Sequence, residues 1–157
     1  MAGEPGPLSR VRRRMRALFG GQGDEAAANR AALALTRSLR DGSTLEEGET
    51  LVERLTSFLA ASLRLDRAPA TSAVLDSFAD LLGTLRPHYA SALRSVELEG
   101  RKVRDFADEA GITVSNGGVR LFRARAGLRR RLREALAFCP RHASHLCECD
   151  PETLDAD

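Results

Sequence analysis

Tryptophan is absent from this chain, tyrosine occurs once, as Tyr89, and phenylalanine six times in 157 residues. So few aromatics weigh against a sheet-built protein, whose strands are enriched in aromatic and β-branched side chains. No apolar run reaches roughly 18 residues, which argues against a membrane-spanning helix. The N-terminal stretch MAGEPGPLSRVRRRMRALFGG has arginines but neither an apolar core of signal-peptide length nor a small-residue cleavage pattern, so the cytoplasm is the expected compartment. The glycines of GGQG, residues 20–23, lack the lysine and the preceding strand of a phosphate loop. No nucleophile, histidine and carboxylate set stands beside a strand-turn-helix pattern, and His88, next to Tyr89 at a predicted helix start, reads as a capping or partly buried residue. No enzyme is expected.

Alanine, leucine and arginine dominate, a composition that favours helices almost throughout. The expected fold class is all-α. A helical N-terminal part is expected over residues 1–66, a second helical unit over 73–136 and a short Cys/His-rich acidic tail over 137–157. The net charge of +2 conceals a segregation. Residues 10–16 hold five arginines and no acid, whereas residues 17–100 hold twelve acids and eight bases. Residues 101–133 hold ten bases against three acids, and residues 134–157 six acids against one base. A local excess of +7 attracts a polyanion through counterion release even on a nearly neutral chain. A merely solvated arginine face is the alternative.

RVRRRMRAL, residues 10–18, reads either as a basic arm that touches DNA or RNA polymerase, or as an amphipathic first helix with Val11, Met15 and Leu18 inward. Gly20–Gly23 break the pattern, and Asp24 can cap a helix that runs to about Arg40 and stops at Asp41-Gly42. A second helix is predicted over Leu45–Leu65, with Leu51, Leu55, Phe58, Leu59 and Ser62 on one side. RAPATS, residues 67–72, reads as a linker because Pro69 interrupts the pattern among small residues. Helices are then predicted from Ala73 through Leu82 and, after a break at Gly83–Pro87, through Leu98. Two more follow, Lys102–Ala110 and roughly Ser115–Leu136.

Those last two are separated only by Gly111-Ile112-Thr113. Ala107 is small enough for a second helix to cross closely, and Gly111 supplies the positive φ at which the first one stops. Val103, Phe106, Val114, Val119 and Leu121 are the predicted buried set. SNGG, residues 115–118, has the composition of a hairpin turn, but its flanks do not alternate as strands do. With Thr113 or Ser115 as N-cap, it forms the first turn of the longer helix.

The segment ELEGRKVRDFADEAGITVSNGGVRLFRARAGLRRRL resembles region four of the bacterial extracytoplasmic-function sigma factors, the part that reads the −35 promoter element. The shared residues are Glu99-Gly100, Ala107, Gly111-Ile112, Arg120-Leu121 and Arg123-Ala124-Arg125, and LLGTLRPHYASALRSVEL is similar to the first helix of that region. The likeness spans about residues 73–133 and implies a helix-turn-helix that binds double-stranded promoter DNA beside the RNA polymerase core. It implies major-groove or phosphate contacts for Ser115, Asn116, Arg120 and Arg123, and backbone contacts for Arg101, Lys102 and Arg125. Gly117-Gly118 departs from the family, which often has an apolar and then a basic residue there. Region two, which melts promoter DNA, is not recognisable: residues 20–57 contain no aromatic on which a displaced base could stack. An interaction module that binds an anti-sigma factor or another regulator therefore stays open as an alternative.

Cys139, His142, Cys147 and Cys149 form a Cys-x2-His-x4-Cys-x-Cys series, with His145 as a spare. Three cysteines within eleven residues of a chain expected to be reduced favour metal over disulfide, and four thiolate or imidazole ligands suit zinc. Soft thiolates also admit Cu(I) or Cd(II), which would suit a metal-responsive regulator. A disordered acidic tail is the competing reading. The series is similar to a Cys-x2-His-x-Cys-x2-Cys-x-Cys tail that follows region four in some sigma-like proteins, with Ser144 in place of its middle cysteine.

Overall fold

The computed structural model describes residues 3–41 and 45–154. The fold is all-α, with no strand among the described residues. Among the described residues seven α-helices run in the order α1 Pro7–Phe19, α2 Glu25–Asp41, α3 Leu51–Leu63, α4 Arg67–Leu82, α5 Pro87–Leu93, α6 Val103–Ala110 and α7 Val114–Ala135. One apolar cluster is continuous from Leu8 to Leu146, so the segments distinguished in the sequence share a core. Its spine is α7, whose stripe of Leu121, Ala124, Leu128, Leu132 and Ala135 at three- and four-residue spacing is buried along its whole length. Helices α1, α2, α4, α5 and α6 all pack against it.

Local chemistry sets most helix ends. Pro7 occupies the first turn of α1, where its missing N–H costs nothing. Leu8, Val11, Met15 and Phe19 face inward, so the arginine-rich segment is an amphipathic helix docked on α4 and α7, with Leu18 only half-buried. Arg10 Nε and Arg14 Nη2 hold the two oxygens of Asp80 on α4 at 3.0 and 2.8 Å. Burial raises the Asp80 carboxyl, but Arg14 and then Arg10 outweigh it and hold the group below the usual carboxylate range. Asp24 Oδ1 accepts the Ala27 N–H and opens α2 as its sequence predicts. That helix ends at Asp41; the predicted stop at Gly42 lies outside the described residues.

The predictions for α3 and for the start of α4 fail for identifiable reasons. The helix expected over Leu45–Leu65 starts only at Leu51, because Thr50 and Glu53 form a reciprocal capping box that defines a later N-terminus. Its buried edge continues to Leu63 rather than to the exposed Ser62. Residues 67–72, read as a linker, are the opening turns of α4. Pro69 falls at the third helical position, where no intrahelical N–H is lost, and Ala70 is wholly buried.

After α5 the chain widens into a π-helical turn, Arg94–Leu98, that points Ser95, Val96 and Glu97 inward in succession. Glu97 has no exposed side-chain surface. Its carboxylate accepts the backbone N–H groups of Leu51 and Val52, both at 3.1 Å, and the Arg125 Nε of α7 at 2.5 Å. A negative charge thus neutralises the N-terminal dipole of α3 and an arginine of α7 together. Truncation leaves Arg125 and two N–H groups without their acceptor. Glu97→Ala is expected to destabilise the fold by roughly 3–5 kcal/mol in denaturant unfolding, in line with a broken buried ion pair.

Candidate functional site

Two places on α7 concentrate chemistry, one at its N-terminal end and one just beyond its C-terminal end. At the first, α6 stops at Gly111, whose φ of 70° and ψ of 30° are left-handed. The Ile112 N–H reaches back to Ala107 O at 3.0 Å and closes the stop. Thr113 is the N-cap of α7, its side chain accepting the Asn116 N–H at 3.1 Å, so SNGG is helical rather than a hairpin turn. Ala107 is fully buried under the crossing, as its size predicts.

Gly117 explains half of the departure at 117–118. A Cβ there would lie 3.1 Å from the Ala107 Cβ, closer than such atoms ordinarily approach, so this glycine serves the contact between α6 and α7. Gly118 faces open space. Phe106 and Leu121 are buried as predicted, Val103 is only half-buried, and Val114 and Val119 are 48% and 47% exposed. Both valines fall off the stripe that Gly117, Leu121, Ala124 and Leu128 define, and Phe122, also off it, is 69% exposed.

The predicted contact residues separate into two groups. Ser115, Asn116 and Arg123 are exposed, Lys102 is exposed at the N-cap of α6, and Arg120 is half-buried. Arg101 pairs with Glu109. Arg125 departs from its predicted role: held by Glu97, it has only 17% of its side chain exposed and cannot serve a partner as a free cation. Arg86 and Arg130, not singled out in the sequence, join Arg123, Tyr89 and Phe122 along an open groove of about 730 Å³ between α5 and α7. The arginines are crowded: burial first, then the charges of Arg125 and Arg133, lower the pKa of Arg129. The Arg133 Nε is buried without a hydrogen-bond partner.

At the other end, α7 terminates at Ala135 and the chain turns back on itself. Cys139 and Ser144 exchange backbone hydrogen bonds at 2.8 and 3.3 Å, with Ala143 at a φ of 48° closing the tight loop. The segment thus folds back against the end of α7 and against α2. Ser144 is buried, its hydroxyl accepting the Leu146 N–H at 2.9 Å. His145 turns away from the cysteines: its Nδ1 lies 2.8 Å from Leu136 O and its ring meets Phe138 edge-on. The backbone N–H of His145 bonds Asn29 of α2 at 2.7 Å.

The four predicted ligands come together, with their donor atoms all within 4.8 Å of one another. Bonds of about 2.3 Å to sulfur and 2.0–2.1 Å to nitrogen in a tetrahedron imply ligand separations of about 3.8 Å between sulfurs and about 3.5 Å from sulfur to nitrogen. The Cys139 and Cys149 sulfurs are 3.9 Å apart, and His142 Nδ1 lies 3.5 and 3.3 Å from them. These three separations match tetrahedral ligation, and with the Cys147 sulfur within 4.8 Å of the other donors the four residues could hold a metal ion. Burial pushes the Cys147 thiol up, but hydrogen bonds from the Cys149 backbone, Arg12 and the neighbouring thiols prevail and bring it down to about 6. Cys149 is pushed up to about 11, first by its hydrogen bond to Cys147. The contact between the Cys147 and Cys149 sulfurs drives their two values apart, and a bound cation would favour the ionised form of both.

The glycine pair yields a direct contrast. Gly117→Val is expected to cost about 1–3 kcal/mol by overpacking against Ala107. Gly118→Ala should stabilise the protein by up to about 1 kcal/mol, because it gains helix propensity and meets nothing. Paired denaturant melts of the two variants check both signs.

No protein-family model, curated protein or solved structure matches this chain.

Proposed function

We propose that the protein is a sigma-factor-like transcription regulator that binds promoter DNA in the major groove through α7 and acts with the RNA polymerase core in the cytoplasm. The observation that carries this reading is the short, glycine-stopped and threonine-capped joint between α6 and α7, which leaves Ser115, Asn116 and Arg123 exposed together on the first turns of a basic helix. Asn116 can pair bidentately with adenine, and Arg123 with guanine or a phosphate. Lys102, at the start of α6, and Arg130, further along α7, extend the basic surface for backbone contacts. Arg120, half-buried, supports the same surface from its flank.

Selection from a random duplex library, followed by binding at several salt concentrations, tests the reading. One sequence class should be enriched, and Arg120→Ala with Arg123→Ala should weaken binding at least tenfold while the log–log salt slope flattens by about 1 per lost phosphate contact. No enrichment, together with unchanged affinity in the double variant, would remove the model. A second reading, a module that docks an anti-sigma factor or another regulator, draws on the exposed Phe122, Val114 and Val119 of the same helix. Co-purification of such a partner without duplex binding is the outcome that favours it.

The cysteine-histidine cluster is read as a structural zinc site, closed by three thiolates and one imidazole. Cys139, His142, Cys147 and Cys149 would hold the ion, and it would supply a cross-link for the loop rather than reactivity. Protein purified without chelator is expected to contain one zinc per chain by elemental analysis, and to lose thermal stability when a chelator removes it. Metal-free protein with an unchanged melting temperature on zinc addition is the result that would sink this assignment.

A further inference from the structure

Arg12, on the inner face of α1, is 1% exposed and is the largest fully buried side chain among the described residues. An arginine carries five N–H donors, and here every one is used. Nε donates to Cys147 O at 2.8 Å; Nη1 donates to Ala135 O and Ala137 O at 3.1 and 2.8 Å. Nη2 donates to Ser144 O at 3.3 Å and to Cys147 Sγ at 3.2 Å. The acceptors belong to two places, the C-terminal end of α7 and the loop that carries the cysteines.

What Arg12 lacks is a carboxylate. No ion pair to it exists among the described residues, although a buried guanidinium without a counter-charge is costly. The available anion is sulfur. A divalent ion held by three thiolates and a neutral imidazole has a net charge of −1, which matches one guanidinium. The loop contributes the complementary shape as well, since its folding brings the Ser144 and Cys147 carbonyls to the guanidinium. Two rim contacts fasten the same surfaces: Ser9 Oγ donates to Asp150 Oδ1 at 3.3 Å, and Arg16 lies 3.8 Å from Glu148.

We infer that Arg12 is the outer-sphere counter-ion of the metal centre, a positioning residue through which metal occupancy and the docking of α1 onto the end of α7 form one coupled equilibrium. This rests on the metal reading of the cluster and goes beyond it by assigning the centre a reporter element more than a hundred residues away in sequence. In metal-bound protein the guanidinium is neutralised and fully hydrogen-bonded. When the ion leaves, the cross-link between Cys139, His142, Cys147 and Cys149 is lost and the loop opens, Arg12 loses Ser144 and Cys147 together, and α1 has to admit water to solvate the charge. Outer-sphere partners of metal ligands typically contribute about 10–100-fold in affinity.

The test uses the full chain. Wild type and Arg12→Lys are titrated with Co(II) and their zinc affinities measured by chelator competition. Hydrogen exchange across residues 7–19 is followed in zinc-loaded and chelator-treated wild type, which needs no variant to fold. Arg12→Lys should bind zinc at least tenfold more weakly and show its sulfur-to-cobalt charge-transfer band at longer wavelength, because Cys147 loses a hydrogen bond that stabilises its lone pair. Metal removal should speed exchange in residues 7–19 at least tenfold while residues 67–82 change less. Equal zinc affinity with an unshifted cobalt spectrum in Arg12→Lys, or exchange over residues 7–19 indifferent to metal, overturns the inference and leaves the metal site standing. Failure of the wild type itself to bind Co(II) or zinc overturns the metal reading first and the inference with it.

Discussion

A single buried carboxylate joins elements that are remote in the chain. The buried carboxylate of Glu97 takes the N–H groups of the first two residues of α3 and the Nε of the part-buried Arg125. Each of the three groups would be expensive to bury alone. Together they satisfy one another, and that fixes how α3, the π-helical turn after α5 and α7 approach. The π-helical turn is part of the device, since a regular helix would not present three consecutive residues inward.

From that junction α7 extends in both directions. Its 22 residues span about 33 Å at the usual helical rise. One end meets α6 through Ala107 and Gly117, two residues small enough to let the backbones come close. The other end delivers its last carbonyls to a guanidinium from α1 and to a histidine from the following loop. A continuous apolar stripe between them buries the helix against most of the molecule, so the two ends belong to one helix packed on a shared core. That is the physical sense in which a basic helix face and a cysteine-histidine cluster, distinct in chemistry, are parts of one structure.

Much of the secondary structure was legible because its causes are local. Asp24, Gly111 and Thr113 act on the residues next to them, and each terminates or opens a helix where its chemistry requires. The spacing of Val11 and Met15 likewise declared the inner face of α1. Legibility failed where a local signal had two meanings. Pro69 breaks a helix interior but suits a helix start, and only the packing of Ala70 shows which applies. Val114 and Val119 are apolar, yet their angular positions on α7 face away from the stripe.

The amino-acid sequence by itself determined the helical class, the basic segment, the joint between the last two helices and the identity of four residues with metal-binding chemistry. These depend on composition and on spacings of a few residues, which a chain carries whatever its tertiary course. Tertiary structure decided which charges are free and which are spent. Arg123 and Arg125 stand two positions apart and look alike in sequence, but helical geometry exposes one and turns the other into Glu97. Arg12 looks like its neighbours in an arginine-rich run, yet it alone of the five is buried, because its acceptors come from a loop that only the folded chain brings within reach.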